Sequence, residues 1–266
     1  MTNPTADQDE PHVVRTDDEG IVRLTLNRAG QFNSLSQAML AALQAHLDAI
    51  AADPAVRVVI MAGAGKAFCA GHDLKEMRAN HHKAFMQDLF GRCAKMMMTL
   101  TRLPQPVIAR VHGIATAAGC QLVSMCDLAV AADTARFATS GINVGLFCAT
   151  PGVGLSRNLG RKQALEMLLT GDFIDAWTAQ RQGLVNRVVT PDALDDEIDK
   201  LARLIVAKSS VAIGLGKQMF YRQLEMGLEA AYQYAAEVMA CNMMTDDAGE
   251  GIDAFIAKRK PDWKGR

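Results

Sequence analysis

The chain has 266 residues, of which 50% are hydrophobic and 21% are charged, so it can bury the core of an ordinary globular protein. Its 28 basic and 29 acidic residues give a net charge of −1, with neither a basic stripe nor an acidic tail. This balance argues against a nucleic-acid partner. The uninterrupted apolar stretches are far shorter than a membrane span, so we expect no membrane partner.

The first twenty residues are polar and acidic, and they lack the apolar segment of a secretory signal and the basic character of a transit peptide. We therefore predict that residues 1–19 form a polar arm, disordered or leading into a strand, of a cytoplasmic protein. None of the six cysteines forms a C-x-x-C pair, so we interpret them as buried thiols. The adjacent His81 and His82 would point about 100° apart on a helix, so no metal site is predicted.

Short apolar or alternating runs predict five strands, at residues 21–26, 57–63, 106–112, 127–133 and 183–189. Ser36 is placed to cap a helix that runs to Ile50. Further helical patterns cover residues 77–98 and 114–125, and the last sixty residues look helical throughout. The order predicts an α/β fold, with a core of ββα-like units over residues 20–200 and a helical region over residues 201–266.

Two segments rich in small residues, Ala70–Lys75 and Ala117–Gln121, each precede a predicted helix start. The free N–H groups at a helix N-terminus favour negative charge, and small residues let a ligand oxygen approach them. Two such N–H groups converging on one oxygen would form an oxyanion hole. The alternative is a pair of tight strand–helix junctions that need small residues for packing alone. The nearby glycine-rich stretch 63–73 has the spacing of neither a P-loop nor a dinucleotide-binding fingerprint.

A series of motifs spread over nearly the whole chain resembles the crotonase (enoyl-CoA hydratase/isomerase) superfamily. In chain order they include FNSLS, AGHDLKEM, PVIARVHG, AAGCQL, TPGVG, GLVNRVV and EGIDAFIAKRKPDW. The resemblance implies a spiral of ββα units followed by C-terminal helices that pack against neighbouring subunits. It further implies a homotrimer, or a hexamer made of two trimers, that binds an acyl-CoA thioester. Coenzyme A then enters as part of the substrate, and no separate cofactor is expected.

The same resemblance assigns individual positions. The backbone amides of His72 and Ala118 fall on the oxyanion hole of the family. Ala70, Asp73, Leu74 and Lys75 fall on the stretch that lines the coenzyme A site. The charged tail 258–263 falls where a neighbouring subunit often contacts the coenzyme. The role of the His72 side chain stays open between core packing, support of the site and contact with the substrate.

Both glutamates with which the hydratases of this family activate water are missing. Their positions hold Gln121 and Gly141, and neither residue can accept a proton from water. The following loop, 145–154, is longer than usual for the family and is expected to bring Cys148 and Thr150 near the pocket, with Cys148 most simply a buried thiol. Asp127 is interpreted as an anchor for the strand that follows it.

Three functions remain open at this stage. The first is an enoyl-CoA hydratase-like lyase with weak hydration, acting in fatty acid or other acyl-CoA metabolism. The second is another thioester reaction that needs only the oxyanion hole, such as decarboxylation or hydrolysis. The third is a non-catalytic acyl-CoA binder.

Overall fold

The computed structural model describes residues 10–266, so the first nine residues of the predicted arm lie outside the described part. The strands are β1 Val13–Asp18, β2 Ile21–Leu26, β3 Val58–Gly63, β4 Ala67–Cys69, β5 Val107–Val111, β6 Ile114–Thr116, β7 Leu128–Ala132, β8 Arg136–Ala138, β9 Ile174–Asp175 and β10 Arg187–Val189. The helices are α1 Gln37–Ala51, α2 Leu74–Ala79, α3 Lys83–Arg102, α4 Ala118–Met125, α5 Ala149–Asn158, α6 Arg161–Thr170, α7 Ala176–Gln182, α8 Leu194–Val206, α9 Ser210–Gln223, α10 Leu228–Met243 and α11 Asp246–Ile256. Not one of these helices is both long enough and apolar enough to cross a membrane.

The larger sheet has six strands in the order β1-β2-β3-β5-β7-β10. β1 pairs with β2 in the antiparallel direction, and every other pair in this sheet is parallel. The central strand β3 is almost entirely apolar, as expected for a parallel strand covered on both faces. Val59 and Met61 belong to the main core with α1 and α3, whereas Val58 and Ile60 belong to a smaller core with α8.

The smaller sheet has four strands in the order β4-β6-β8-β9, of which β4, β6 and β8 run parallel. Three successive units repeat one path. The first strand of each unit (β3, β5, β7) joins the larger sheet, the second (β4, β6, β8) joins the smaller sheet, and a helix follows. This confirms the predicted spiral of ββα units. Because β4, β6 and β8 are parallel neighbours, their carboxyl ends meet at one edge of the smaller sheet.

The C-terminal helices are fastened to the spiral by a buried ion pair. The Asp127 carboxylate accepts hydrogen bonds from the Val107 N–H at 2.6 Å and from the Lys217 ammonium at 2.6 Å. Its other oxygen accepts from the Tyr221 hydroxyl at 2.8 Å. Lys217 and Tyr221 lie on α9, so the carboxylate joins α9 to the start of β5. Asp127 was expected to anchor β7, the strand that follows it, and its side chain instead holds the start of β5 against α9.

Several boundaries differ from the sequence prediction. Val13–Asp18 of the predicted arm form a sheet strand, paired with β2. The helical pattern over 77–98 is two helices, because His82 starts a new one by accepting a hydrogen bond from the Phe85 N–H at 3.2 Å. The predicted domain break at residue 200 falls inside α8, which packs on the larger sheet. Residues 257–266 are not helical.

Candidate active site

The candidate site is built at the carboxyl ends of β4, β6 and β8. Residues 70–73 leave β4, residues 117–118 leave β6, and residues 139–141 leave β8. The pairing of Cys69 with Ala115 and of Thr116 with Ala138 puts these three exits side by side. The sequence therefore brings three distant segments together through the parallel pairing of three short strands.

Two backbone N–H groups lie at the first two exits. Ala118 is the first residue of α4, so its N–H has no acceptor within the helix. The His72 N–H likewise donates to no other group in residues 10–266. The segments are close together, since a Cβ placed on Gly71 would lie 2.8 Å from the Ala117 Cβ and 3.1 Å from the Ala118 nitrogen. Two such donors can hydrogen-bond one carbonyl oxygen where their N–H groups converge on it.

The backbone around these donors adopts conformations that few residues tolerate. Gly71 has φ +91°, a region that favours glycine. Ala117 has φ 50° and ψ −121°, which costs on the order of 1–3 kcal/mol for a residue with a side chain. The neighbouring hydrogen bonds from Leu35 N–H to the Gly71 carbonyl (2.7 Å) and from Ala117 N–H to the Ala138 carbonyl (3.0 Å) hold both segments in place.

A cavity of about 300 Å³ is lined by residues that include His72 and Ala118. Its apolar lining consists of Ala70, Leu74, Met77, Phe90, Ala117, Ala118, Gly141, Val144, Leu146, Phe147, Ala149 and Pro151. Its polar lining consists of His72, Ser140, Cys148 and Thr150. Such a small, mostly apolar cleft with a few convergent polar groups is typical of a small-molecule site.

Five of the eight predicted site residues line this cavity: Ala70, His72, Leu74, Ala118 and Gly141. The other three do not. The Asp73 side chain caps α2 by accepting hydrogen bonds from the N–H groups of Lys75 (2.9 Å) and Glu76 (3.1 Å). Lys75 is exposed on the first turn of the same helix.

Gln121 and Gly141, the two positions at which the resemblance predicts the family's glutamates, have different surroundings. Gln121 is buried in α4, and its side-chain Oε1 has no hydrogen-bond partner among the described residues. Gly141 is crowded, since an added Cβ would lie 2.6 Å from the Leu146 carbonyl oxygen and 2.7 Å from the Cys148 Sγ. The segment after Gly141 thus folds back over the space that a side chain at this position would need.

Only two of the cavity-lining residues, His72 and Cys148, are ionisable. Burial lowers the pKa of the His72 imidazole below its usual 6.5, against the opposing effect of the Leu35 carbonyl. Burial has the opposite effect on the Cys148 thiol and raises its pKa, since the residue is 6% exposed. The thiol therefore stays protonated at neutral pH. Within residues 10–266, no cluster of three or more His, Cys, Asp or Glu side chains is placed to hold a metal ion.

Sequence reasoning missed parts of the cavity wall. Phe90 comes from α3, and its ring meets the His72 ring edge-on with centroids 5.4 Å apart. Ser140 hydrogen-bonds Thr116 at 2.8 Å between their hydroxyl oxygens, which joins the second and third strand exits. Val144 and Phe147 lie on a segment with no periodic pattern. The unusual length of the 145–154 loop was the one available signal, and Cys148 and Thr150 do line the cavity as expected.

The comparisons with known proteins agree with the fold. The enoyl-CoA hydratase/isomerase family model matches residues 16–266. A crystal structure of an enoyl-CoA hydratase from Mycobacterium smegmatis is 60% identical, with a TM-score of 0.94 over 96% of this chain and 99% of that one. The crystal structure of human enoyl Coenzyme A hydratase domain-containing protein 3 is 44% identical, with a TM-score of 0.93 over 95% of this chain and 100% of that one.

The curated relatives correct one expectation. Enoyl-CoA hydratase domain-containing protein 3, mitochondrial, of Xenopus laevis is 47% identical over 256 residues, which are 96% of this chain and 87% of the relative. Because this relative and its human counterpart are named as mitochondrial, the predicted cytoplasmic localisation is wrong. A probable enoyl-CoA hydratase of Rhizobium meliloti is 36% identical over 248 residues, 91% of this chain and 94% of the relative. From the family match over almost all of its length and these relatives, the chain belongs to the enoyl-CoA hydratase/isomerase family of the crotonase superfamily.

Proposed function

We propose that this protein binds an acyl-CoA thioester and holds its carbonyl oxygen between the N–H groups of His72 and Ala118. The observation that carries the proposal is a pair of backbone donors without an acceptor among the described residues, on two residues that line an apolar cavity. Such donors stabilise the negative charge that develops on a thioester oxygen when an enolate forms, and losing one of them typically costs a factor of about 10²–10³ in rate. Coenzyme A is part of the substrate, and the reaction needs no further cofactor.

The reaction that fits best is a slow, hydratase-like addition of water to an enoyl-CoA, which makes the protein a lyase of acyl-CoA metabolism. Family membership supports this class of reaction. The rate is limited because no Asp or Glu lines the cavity within the described residues, and positions 121 and 141 supply no carboxylate. General acid–base groups typically contribute a factor of about 10²–10⁴.

Decarboxylation of a malonyl-type thioester is the second candidate. The cavity lining favours it, because an apolar wall without carboxylates or cations suits a reaction that needs an oxyanion hole and no base. A turnover assay on crotonyl-CoA and on a malonyl-type thioester separates the two. Binding of both without any turnover would leave the non-catalytic binder as the function.

Restoring a glutamate at position 141 should not restore fast hydration. The Gly141→Glu variant has to displace the Leu146 carbonyl and the Cys148 thiol, so we expect the crotonyl-CoA hydration rate to stay equal or fall. The control is Asn143→Glu, which adds the same charge at an exposed position in the same turn. A large gain in rate for Gly141→Glu alone would show that the loop opens readily and that only the carboxylate was missing.

The assembly proposed from the family is a trimer, with hexamers formed from two trimers. Large apolar side chains exposed on α10 and α11 and in the turn between them support it: Leu228, Tyr232, Met239, Met244, Phe255 and Ile256 are each at least 70% exposed. Apolar surface on this scale is typical of a protein–protein interface. Sedimentation equilibrium should therefore give at least about three times the 28.7 kDa chain mass. A monomer at micromolar concentration would contradict the assignment.

A further inference from the structure

The side chain of His72 has a defined protonation pattern. Its Nδ1 lies 3.1 Å from the Leu35 carbonyl oxygen. A carbonyl oxygen only accepts hydrogen bonds, so Nδ1 carries the hydrogen. In the neutral ring the lone pair therefore resides on Nε2, the arrangement that histidines use when they accept a proton.

The Nε2 atom has no hydrogen-bond partner within residues 10–266, and it is buried. An unpaired buried acceptor costs about 1–3 kcal/mol, so native structures contain few of them and each needs an explanation. The ring is held on one side by the Leu35 carbonyl and on the other by edge-on contact with Phe90, at an interplanar angle of 65°. The atom is thus oriented without being used by the protein itself.

The surroundings keep the ring neutral. The ionisable groups on neighbouring segments include the Asp73 and Glu76 carboxylates, the exposed Lys75 ammonium, and the Cys93 and Cys148 thiols. Both carboxylates already accept backbone hydrogen bonds, and both thiols have a pKa raised by burial. Burial is the main influence on His72, and it lowers the imidazole pKa. At neutral pH the ring therefore has its lone pair free.

We propose that Nε2 of His72 is the proton acceptor and donor for hydration of an enoyl thioester, an inference that rests on the proposed function. In this proposal the backbone N–H of the same residue contacts the thioester oxygen, so Cα and Cβ of the acyl group lie in the cavity to whose lining His72 contributes. Because Nε2 has no contact with solvent, a side-chain rotation has to accompany its use. Catalytic contacts often form only in the substrate complex.

Nε2 accepts one proton of a water molecule while the water oxygen bonds to Cβ. The π electrons of the Cα–Cβ double bond move toward the thioester, and the resulting enolate oxygen is held by the N–H groups of His72 and Ala118. The imidazolium then returns its proton to Cα, the thioester carbonyl re-forms and the ring is neutral again. The net change is the addition of one water to the double bond.

Substitution at position 72 can separate this role from thioester binding, because any residue except proline keeps the backbone N–H. In His72→Gln we expect kcat for crotonyl-CoA hydration to fall by at least about 10²-fold. The affinity for butyryl-CoA, a saturated thioester that cannot be hydrated, should change by less than about threefold. The matched control is His112→Gln. His112 also binds a backbone carbonyl, that of Gly65 at 2.9 Å, has a buried unpaired nitrogen and a pKa lowered by burial, but it lies outside the cavity.

The pH profile of the native protein tests the proposal without any variant. A base must be neutral to act, so kcat should rise with pH and level off above a midpoint below 6.5. Suppose that the native protein hydrates crotonyl-CoA and that His72→Gln keeps both this rate and the fall of kcat at low pH. That result would overturn the role of His72 and leave the proposed lyase function intact. A native protein that binds butyryl-CoA but never hydrates crotonyl-CoA would overturn both.

Discussion

Replacing Gly119 by alanine should disrupt the candidate site more than any other single methyl group added to it. The new Cβ would lie 2.0 Å from the Cys69 carbonyl oxygen and 2.7 Å from its carbon, so β4 and α4 have to move apart by about 1 Å or more. Cys69 is three residues before His72, and Gly119 directly follows Ala118. Both proposed donors therefore shift, and a displacement of this size can cost about 10²-fold in activity.

We expect Gly119→Ala to lower the free energy of unfolding by about 1–3 kcal/mol or more, and to abolish measurable thioester binding. Urea denaturation and calorimetry with butyryl-CoA measure the two effects. The matched control is Gly91→Ala, within α3, where an added Cβ meets nothing within 4 Å. That change should raise the free energy of unfolding by about 0.4–1 kcal/mol and leave the affinity for butyryl-CoA unchanged. Normal binding by Gly119→Ala would mean that the close contact of β4 with α4 does not set the site.

Removing the Lys217 ammonium should have the largest effect on stability. Its Nζ donates to the carbonyls of Leu100 (2.8 Å) and Gln105 (2.9 Å) and to the Asp127 carboxylate. Burial lowers the pKa of this lysine despite its charged partner, so the pair is well desolvated. In Lys217→Met, two carbonyls and a buried carboxylate lose their shared donor. Breaking a buried pair in this way costs about 3–5 kcal/mol.

The double variant Asp127→Asn, Lys217→Met tests whether the broken charge pair causes the loss of stability in Lys217→Met. It removes the stranded carboxylate, so it should be more stable than the sum of its single variants predicts. Lys200→Met, at an exposed position on α8, is the control for the substitution itself and should stay within about 0.5 kcal/mol of the native protein. Strictly additive effects of the two single variants would contradict a direct coupling between Lys217 and Asp127.

The sequence predicts the central strands of the larger sheet, β3 and β5, well because they are continuous and largely apolar runs. Residues 58–63 and 107–111 fall within predicted strands, and both are buried on two faces. The smaller sheet was missed, because β4, β6 and β8 have three residues each and contain small side chains. Strands this short are defined by their pairing partners and carry no periodicity of their own. The predicted helix over 114–125 therefore begins, in fact, with a strand.

For the candidate site, the sequence predicts which residues come together better than it predicts where their side chains point. Motif positions put His72 and Ala118 together, and both line the cavity. Side-chain directions could not be predicted from the sequence, so Gln121 is unexpectedly buried away from the cavity and Asp73 is used as a helix cap. The partner of the His72 ring, the Leu35 carbonyl, is a backbone atom 37 residues away and has no sequence signature.

The N–H groups of His72 and Ala118 are proposed to hold a thioester carbonyl oxygen. Isothermal calorimetry with butyryl-CoA and with S-butyl-CoA, a thioether that lacks only that oxygen, tests this claim most directly. Two hydrogen bonds at about 0.5–1.5 kcal/mol each predict that the thioester binds about fivefold to 150-fold more tightly. Equal affinities for the two compounds would show that the carbonyl oxygen is not bound and would contradict the proposed function.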